Sequence, residues 1–378
     1  MQKNIYLDHS ATTYVKKEVL EEMIPYFTEK YGNPSSVYSL ASLSKEAIEK
    51  AREKVASYIN SSPEEIYFTS GGTEADNLAI FGIVHANKEK GNHVITSKIE
   101  HPAVLETFKK LEKEGFKVTY LNVNKDGKIL IEELKNSINK NTVLVSIMAV
   151  NNEIGTIQDL QEIGNICKEN NVYFHTDAVA AIGSIDIDVE KYNIDLLSMS
   201  GHKFYGPKGV GALYVRDKIN FNSHILGGHQ EKCKRAGTEN VPAIVGMGKA
   251  IEIAKLNLKE NTEKIFALKK YFLNKILSEI RYVKINGNIL NQSASNINVE
   301  FKNVDSNSLL LLLASSSICA SAGSACSSKD ESISHVIKAI GGNKQSIRFT
   351  LGIGNTYEEI NYVVLKLKEY VNKLRNFN

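Results

Sequence analysis

Short apolar runs alternate with longer stretches of helical periodicity from about residue 15 to residue 220, and this alternation most constrains the fold. Runs that end in polar or glycine clusters and are separated by helices indicate a parallel α/β sheet. The predicted strands are Glu65–Thr69, His93–Ser97, Lys117–Leu121, Thr142–Ala149, Val172–His175, Leu196–Ser198 and Gly211–Val215. We therefore expect an α/β chain built on a large, mostly parallel, seven-stranded sheet.

A different pattern follows this region. The stretch Val241–Ile280 is helix-forming and patterned in charge, and it predicts a long connection to a second unit. That unit reads as a smaller α+β domain with strands at Ser295–Phe301 and Ser346–Thr350. We predict a large domain over residues 15–257 and a small domain formed by residues 1–14 and 258–378.

Composition excludes several classes of protein. A net charge of +3 over 378 residues is too small for a basic face that neutralises nucleic acid. The longest apolar stretch, Leu309–Ala314, is far shorter than a membrane span, and Met1–Asp8 contains no signal-type apolar region. Four cysteines without a Cys-x-x-Cys pair predict neither a disulfide framework nor a metal site. We expect a cytoplasmic protein that binds neither nucleic acid nor membrane.

Chemistry-bearing residues follow several predicted strands, where ligands of open α/β sheets bind. Ser70-Gly71-Gly72-Thr73 closes one strand and opens a helix, whose free N–H groups suit a phosphate. Asp177 and Lys203 follow two further strands. A lysine, a carboxylate and a phosphate-binding helix end are the three requirements of a pyridoxal phosphate site.

Each of these features also has a simpler interpretation. The glycine pair is compatible with an ordinary turn, Asp177 with a cap and Lys203 with a solvated loop cation. His101, directly before Pro102, suits either a structural role or a residue that stacks on a planar cofactor and moves protons. It is the combination of the three features that favours the cofactor.

Two more residues suit substrate chemistry. Arg348, in a predicted strand, fits either capture of a substrate carboxylate or a structural salt bridge. Cys326 lies in a run of Ser, Gly and Ala, and this setting predicts an exposed, mobile loop that carries a nucleophilic thiol. Cys167, Cys233 and Cys319 are expected to be buried and inert, with accessibility left open for Cys233 because it lies between two lysines.

The chain resembles the NifS/IscS-type cysteine desulfurases, which are class V, fold-type I enzymes dependent on pyridoxal phosphate. The resemblance runs nearly from end to end and rests on long motifs in the same order along the chain. These are Tyr6–Thr13, Tyr31–Ser36, Thr69–Asn77, Glu100–Val104, Asn151–Thr156, His175–Val179, Ser198–Gly211, Arg235–Val241 and Ser321–Cys326. It implies conversion of L-cysteine to L-alanine, with the sulfur passed to Cys326 as a persulfide.

The resemblance also implies a role for each site residue. Lys203 would hold pyridoxal phosphate covalently, Asp177 would pair with its ring nitrogen, and His101 would stack on the ring. The residues implied for the phosphate end are Gly72, Thr73, Ser200, His202 and Thr238. Thr238 would act across a homodimer, Asn152 and Arg348 would orient the substrate carboxylate, and Asn152 would also contact the cofactor. A sulfur acceptor, such as an iron–sulfur scaffold protein, is the implied partner.

One position departs from the family pattern. Three residues after the aspartate the family usually has Gln, a hydrogen-bond donor to the phenolic oxygen of the cofactor, whereas this chain has Ala180. We expect a shifted Schiff-base pKa or altered activity. Two alternatives stay open from the sequence. One is a selenocysteine lyase or another class V enzyme, and the other is a sulfur-relay protein whose cofactor chemistry is weakened at Ala180.

Overall fold

The computed structural model describes residues 4–289, 292–323 and 333–376. The strands are β1 (Ile5–Tyr6), β2 (Ile66–Thr69), β3 (His93–Ser97), β4 (Lys117–Leu121), β5 (Thr142–Ser146), β6 (Tyr173–Asp177), β7 (Leu196–Ser200), β8 (Gly211–Val215), β9 (Val283–Ile285), β10 (Asn296–Phe301), β11 (Ile318–Cys319) and β12 (Ser346–Thr350). The helices are α1 (Lys17–Met23), α2 (Pro25–Thr28), α3 (Ser39–Ile59), α4 (Gly72–Ala86), α5 (Pro102–Lys113), α6 (Ile131–Ser137), α7 (Leu160–Glu169), α8 (Val241–Glu279), α9 (Ser306–Ser315), α10 (His335–Ala339) and α11 (Tyr357–Asn376).

The large sheet has seven strands in the order β2-β8-β7-β6-β5-β3-β4. Only β8 runs against its neighbours β2 and β7, and the other adjacent pairs are parallel. The predicted mostly parallel seven-stranded sheet is therefore confirmed. Because β2, β3, β5, β6 and β7 share one direction, their carboxyl ends meet at one edge of the sheet.

Both faces of this sheet are covered by apolar side chains. On β7, Leu196 packs into one core cluster and Leu197 into the other, and on β8 the same alternation separates Leu213 from Tyr214. Successive side chains of a strand point to opposite faces, so a strand covered on both sides reads as a nearly continuous apolar run. This double burial explains why these strands were recognisable in the sequence.

Three predicted strand ends differ from the observed ones, and one of these is the strand predicted over Leu196–Ser198, which continues to Ser200. The strand predicted to end at His175 continues to Asp177, because β6 pairs with β7 as far as Asp177 and Ser198. The strand predicted over Thr142–Ala149 ends at Ser146, although Ile147–Ala149 stay buried. Hydrophobicity marks burial, whereas pairing sets where a strand ends, and the two diverge at the edge that forms the site.

A second core surrounds the three-stranded antiparallel sheet β12-β10-β9. Leu7, the far end of α8, and helices α9 and α11 pack against it. Helix α8 runs through 39 residues and contributes Val241–Ile251 to the first core and Leu268–Ile276 to the second. The domain boundaries at residues 14/15 and 257/258 stay a prediction.

Within the described ranges, every helix is too short or too polar to cross a membrane.

Candidate active site

A cavity of about 210 Å³ lies at the carboxyl-end edge of the large sheet. It brings together the residues that the sequence selected at separate strand ends. The predicted residues that line it are Gly72, Thr73, His101, Asn152, Asp177, Ser200, His202, Lys203 and Arg348. Strands β2, β3, β6 and β7 end directly before or at these side chains, so sheet topology explains the convergence.

Helix α4 presents its N-terminus to this cavity. Gly72 is its first residue, and the cap position makes no side-chain hydrogen bond to the first turn. A Cβ atom at Gly72 would lie 2.6 Å from the Val179 side chain, so only glycine fits here. A second, more open cavity also borders Gly72, Thr73, Ser200 and His202. The free N–H groups and nearby hydroxyls form a site suited to a phosphate.

His202 lies beside this helix end. Its Nδ1 is 3.1 Å from the Thr12 hydroxyl. Burial lowers the pKa of His202 to about 4, and the charges of Lys203 and Lys208 act in the same direction. The imidazole is therefore neutral near pH 7 and offers hydrogen bonds without adding a charge.

Asp177 ends strand β6 and is almost completely buried. Burial raises the pKa of its carboxyl, whereas His101, the Val179 N–H and Lys203 lower it. The Val179 N–H donates to Oδ1 at 2.9 Å. A positively charged ring nitrogen in the cavity would favour the ionised form of this carboxylate.

Lys203 follows β7 in a short 3₁₀ turn, Gly201–Lys203. Its Nζ donates to the carbonyl oxygens of Ser10 and Ala11, the latter at 3.1 Å. Both carbonyls belong to the segment after β1, and Ala11 lies 192 positions from Lys203 in sequence. This distant segment therefore fixes the lysine at the cavity wall.

His101 is the N-cap of helix α5, which begins at Pro102 as expected. Its Nδ1 accepts a hydrogen bond from the Ala103 N–H at 3.1 Å. Burial lowers its pKa, Asp177 raises it, and Lys203 and His335 lower it. An Nδ1 that accepts a hydrogen bond carries no proton, so the neutral ring holds its proton at Nε2.

Arg348, on β12, lines the same cavity and is only 1% exposed. It makes the salt bridge that was one of its two sequence interpretations, with its Nη2 2.7 Å from Asp8 Oδ1. Its Nη1 donates to the Asn152 carbonyl at 3.3 Å. Nη1 and Nη2 each carry a second N–H beyond these contacts, so the arginine retains donors for a ligand. Its Nε is buried and has no hydrogen-bond partner among the described residues.

One predicted residue of the described chain is not brought to the cavity. Thr238 is exposed and does not line it, and its role across a dimer stays a prediction. Cys326 lies outside the described residues.

The remaining cysteines were expected to be buried. Cys167 is buried, and burial raises the pKa of its thiol. Cys319 is half-buried, and burial raises the pKa of its thiol as well. The accessibility of Cys233, which the sequence left open, is confirmed, because Cys233 is exposed on a surface turn with its Sγ 3.3 Å from His229 Nδ1.

Sequence reasoning missed Asp76 and Asp8. Asp76 lines the cavity, is 1% exposed, and has an Oδ1 without a hydrogen-bond partner in the described structure. Burial raises its pKa, and the neighbouring Asp177 raises it further. Its spacing of four residues from Gly72 places both on one face of α4, and this signal was available in the sequence. The signal available for Asp8 was its place in the motif Tyr6–Thr13.

The family model for class-V aminotransferases matches residues 5–363. The chain belongs to the class-V aminotransferase family. The cysteine desulfurase IscS of Clostridium botulinum (strain Hall) is 52% identical over 384 residues, which cover 100% of this chain and 97% of that protein. The IscS protein of Methanosarcina thermophila, also called a cysteine desulfurase, is 51% identical and covers 100% of this chain and 94% of its own length.

Solved structures agree with this assignment. A NifS-like protein superposes with a TM-score of 0.93 at 38% identity, over 98% of this chain and 100% of its own. The expected fold-type I architecture, with its smaller C-terminal part, is confirmed.

Enzymes of this family depend on pyridoxal phosphate, and the cavity fits that cofactor. A Cβ at Gly72 would come within 2.6 Å of the Val179 side chain, and buried Asp76 Oδ1 and Arg348 Nε lack hydrogen-bond partners among the described residues. The free helix end suits an anionic group, and the unsatisfied polar atoms are typical of a ligand site. Lys203 and Asp177 supply the amine and the carboxylate that the cofactor requires.

Proposed function

We propose that this chain is a cysteine desulfurase that converts L-cysteine to L-alanine and transfers the sulfur to Cys326. The observation that carries the proposal is the single cavity shared by Lys203, Asp177, His101 and Arg348. The full-length relatives named cysteine desulfurase support it. A further structural relative, SspA, was solved in complex with cysteine and superposes with a TM-score of 0.83 at 38% identity, over 93% of this chain and 100% of its own.

Residues that line the cavity would hold the cofactor. Gly72, Thr73, Ser200 and His202 would bind its phosphate, Asp177 would pair with its ring nitrogen, and Lys203 would bind it covalently. When bound, pyridoxal phosphate withdraws electrons from the Cα of the substrate and so makes its proton acidic. His101 would stack on the ring, and Asn152 would contact both cofactor and substrate.

Arg348 binds the substrate carboxylate through the N–H groups of Nη1 and Nη2 that Asp8 and Asn152 leave unused, with Asn152 beside it. Lys203 Nζ moves the Cα proton, and the Ser10 and Ala11 carbonyls fix where that nitrogen lies. His101 holds a proton at Nε2 and donates from there. Placing a proton on Nδ1 would break its bond to the Ala103 N–H and remove the α5 cap.

Sulfur transfer requires a second thiol. The Cys326 thiolate attacks the substrate sulfur, and the bond between that sulfur and Cβ breaks with its electron pair going to carbon. Protonation of that carbon gives L-alanine, and Cys326 carries the sulfur as a persulfide. An acceptor protein, such as an iron–sulfur scaffold, then takes the sulfur.

We also propose that the protein acts as a cytoplasmic homodimer. The residues between positions 14 and 43 expose an unusual number of large apolar side chains, which single chains seldom leave uncovered. These are Tyr14, Leu20, Ile24, Phe27, Tyr31, Val37, Tyr38 and Leu43. Exposed Thr238 would reach the phosphate site of the partner subunit. Sedimentation equilibrium tests the dimer, and a Thr238→Ala variant with unchanged cofactor affinity would contradict the role of Thr238.

The activity is tested by release of alanine and sulfide from L-cysteine with a reductant, in the wild type, Lys203→Ala and Cys326→Ala. We expect equal amounts of both products from the wild type and neither from the variants. A wild type that binds pyridoxal phosphate but releases neither product would favour another class V reaction or a relay role. Selenocysteine, offered in parallel, identifies a lyase if it alone is consumed.

A further inference from the structure

Arg348 is a buried cation whose guanidinium is only partly occupied. Its Nη2 contacts Asp8 Oδ1 at 2.7 Å and its Nη1 contacts the Asn152 carbonyl at 3.3 Å. Nε has no partner within the described ranges, although the side chain is 1% exposed. A guanidinium carries five N–H donors, so one carboxylate and one carbonyl leave capacity for a second carboxylate.

The Asp8 contact is held by strand pairing. Asp8 forms a parallel bridge with Thr350, two residues beyond Arg348 on β12. The Thr350 N–H donates to the Leu7 carbonyl at 2.7 Å, and the His9 N–H donates to the Thr350 carbonyl at 3.4 Å. Backbone bonds on both sides of Asp8 therefore fix its carboxylate opposite the guanidinium.

The same segment also fixes the cofactor lysine. The Ser10 and Ala11 carbonyls accept from Lys203 Nζ. The Ser10 hydroxyl accepts from Thr350 Oγ1 at 3.0 Å and from Asn296 Nδ2 at 3.2 Å. Residues 8–11 thus touch both cations of the cavity, Arg348 through Asp8 and Lys203 through Ser10 and Ala11.

We propose that Asp8 is a positioning residue for substrate recognition, which holds Arg348 so that the remaining N–H groups of its Nη1 and Nη2 are presented to the carboxylate of the amino-acid substrate. This inference rests on the proposed function. Asp8 anchors one end of the planar guanidinium of Arg348, and the anchored guanidinium binds a carboxylate with less loss of rotational freedom. Asp8 itself is not among the residues that line the cavity, so we expect its effect to be confined to ligands that carry a carboxylate.

The test compares L-cysteine with cysteamine, which has the same amine and thiol but no carboxylate. Binding is followed by the absorbance change of the enzyme-held cofactor in the wild type, Asp8→Asn and Asp8→Ala. Asp217→Asn, which removes one exposed carboxylate from the surface, is the matched control. Cofactor content is measured for every variant.

We expect the half-saturating concentration of L-cysteine to rise about tenfold or more in Asp8→Ala, as for loss of one charged hydrogen bond. In Asp8→Asn, which keeps an acceptor oxygen, the half-saturating concentration of L-cysteine should rise less. Cysteamine should bind all variants within about twofold of the wild type, which is less than the loss of one ordinary hydrogen bond. Cofactor content should be the same in all variants, and Asp217→Asn should bind both ligands as the wild type does.

Equal weakening of both ligands would overturn the proposal, because it would indicate a general structural role. Tighter binding of L-cysteine in Asp8→Asn would also overturn it and would mean that Asp8 competes with the substrate for Arg348. If Asp8→Ala does not fold, Asp8→Asn decides between these results. A wild type that does not respond to L-cysteine refutes the proposed function, whereas a responsive wild type with unaltered Asp8 variants refutes only the role of Asp8.

Discussion

Arg52 and Arg348 are both buried arginines in ion pairs, yet their surroundings differ. Arg52, on α3, binds both carboxylate oxygens of Glu231 at 2.8 and 2.9 Å and also donates to the Ile66 carbonyl at 2.7 Å. The Glu231 carboxylate also accepts a hydrogen bond from the Phe68 N–H at 2.8 Å. Arg348 has one carboxylate oxygen, one long bond to a carbonyl, and an unpartnered Nε within the described chain.

The difference teaches how to separate structural from functional buried charge. The Arg52 pair ties the surface segment around Glu231 to α3 and the edge strand β2, and its bidentate geometry leaves little for a ligand. Arg348 is left incomplete at the wall of the active-site cavity. Burial alone marks neither role, whereas the completeness of the hydrogen bonding around each guanidinium does.

The largest expected effect is on stability. Arg52→Met should lower the free energy of unfolding by about 3–5 kcal/mol, because Glu231 is left as a buried charge without its partner. Activity per folded molecule should stay within about threefold, since no substrate contact is lost. Denaturant unfolding measures the first quantity. An Arg52→Met, Glu231→Leu double variant should recover much of the stability, and failure to recover would contradict a cost that arises from the unpaired charge.

Arg348→Lys should lower activity more than stability, the opposite of Arg52→Met. We expect kcat/KM for L-cysteine to fall by about 100-fold, or about 2.7 kcal/mol, because a lysine cannot reproduce the fork that serves Asp8 and a substrate carboxylate together. Stability should fall less than in Arg52→Met, since a cation still faces Asp8. Steady-state alanine release and denaturant unfolding are the measurements. Loss of stability with normal kcat/KM would remove the distinction between the two arginines.

Glu100 sharpens the comparison because it is buried and forms no ion pair with any other described residue. Its oxygens accept from the Ser97 hydroxyl and the Met148 N–H, and burial raises its pKa to about 8. The folded state therefore binds a proton that the unfolded chain releases near pH 4.5. The resulting stability is present below pH 4.5 and is lost as pH rises through about 8.

Glu100→Gln, which needs no proton, should not show this loss. The difference in unfolding free energy between variant and wild type should grow in favour of the variant from pH 5 to pH 8, by an amount on the order of 1–3 kcal/mol. Unfolding curves at several pH values measure it. A difference that does not depend on pH would mean that Glu100 is ionised in the folded protein.

Ala180 should have the smallest effect. It lines the cofactor cavity and, with Ser10 and Lys203, a second cavity of about 80 Å³ behind it. Ala180→Gln adds a donor beside the cofactor, and we expect the pH midpoint of its absorbance to move by about half a unit or more, or about 0.7 kcal/mol. An unchanged titration would show that Ala180 does not set that protonation.

Site residues could be predicted from the sequence when they lie in a motif directly at the end of a strand. Asp177 and Ser200 end adjacent strands of a parallel sheet, so their convergence follows from topology alone. The partners of the two arginines follow from no local pattern. Asp8 and Arg348 are 340 residues apart, and Arg52 and Glu231 are 179 apart. Only tertiary packing joins them, and so Asp8 was missed although Arg348 was selected.

The most direct test of the central claim is a single turnover with L-cysteine in the absence of reductant, followed by intact-protein and peptide mass spectrometry. We predict one alanine per subunit and a mass increase of one sulfur atom, confined to the peptide that contains Cys326. Alanine formation with no sulfur on that peptide, or no alanine from protein loaded with cofactor, would contradict the claim.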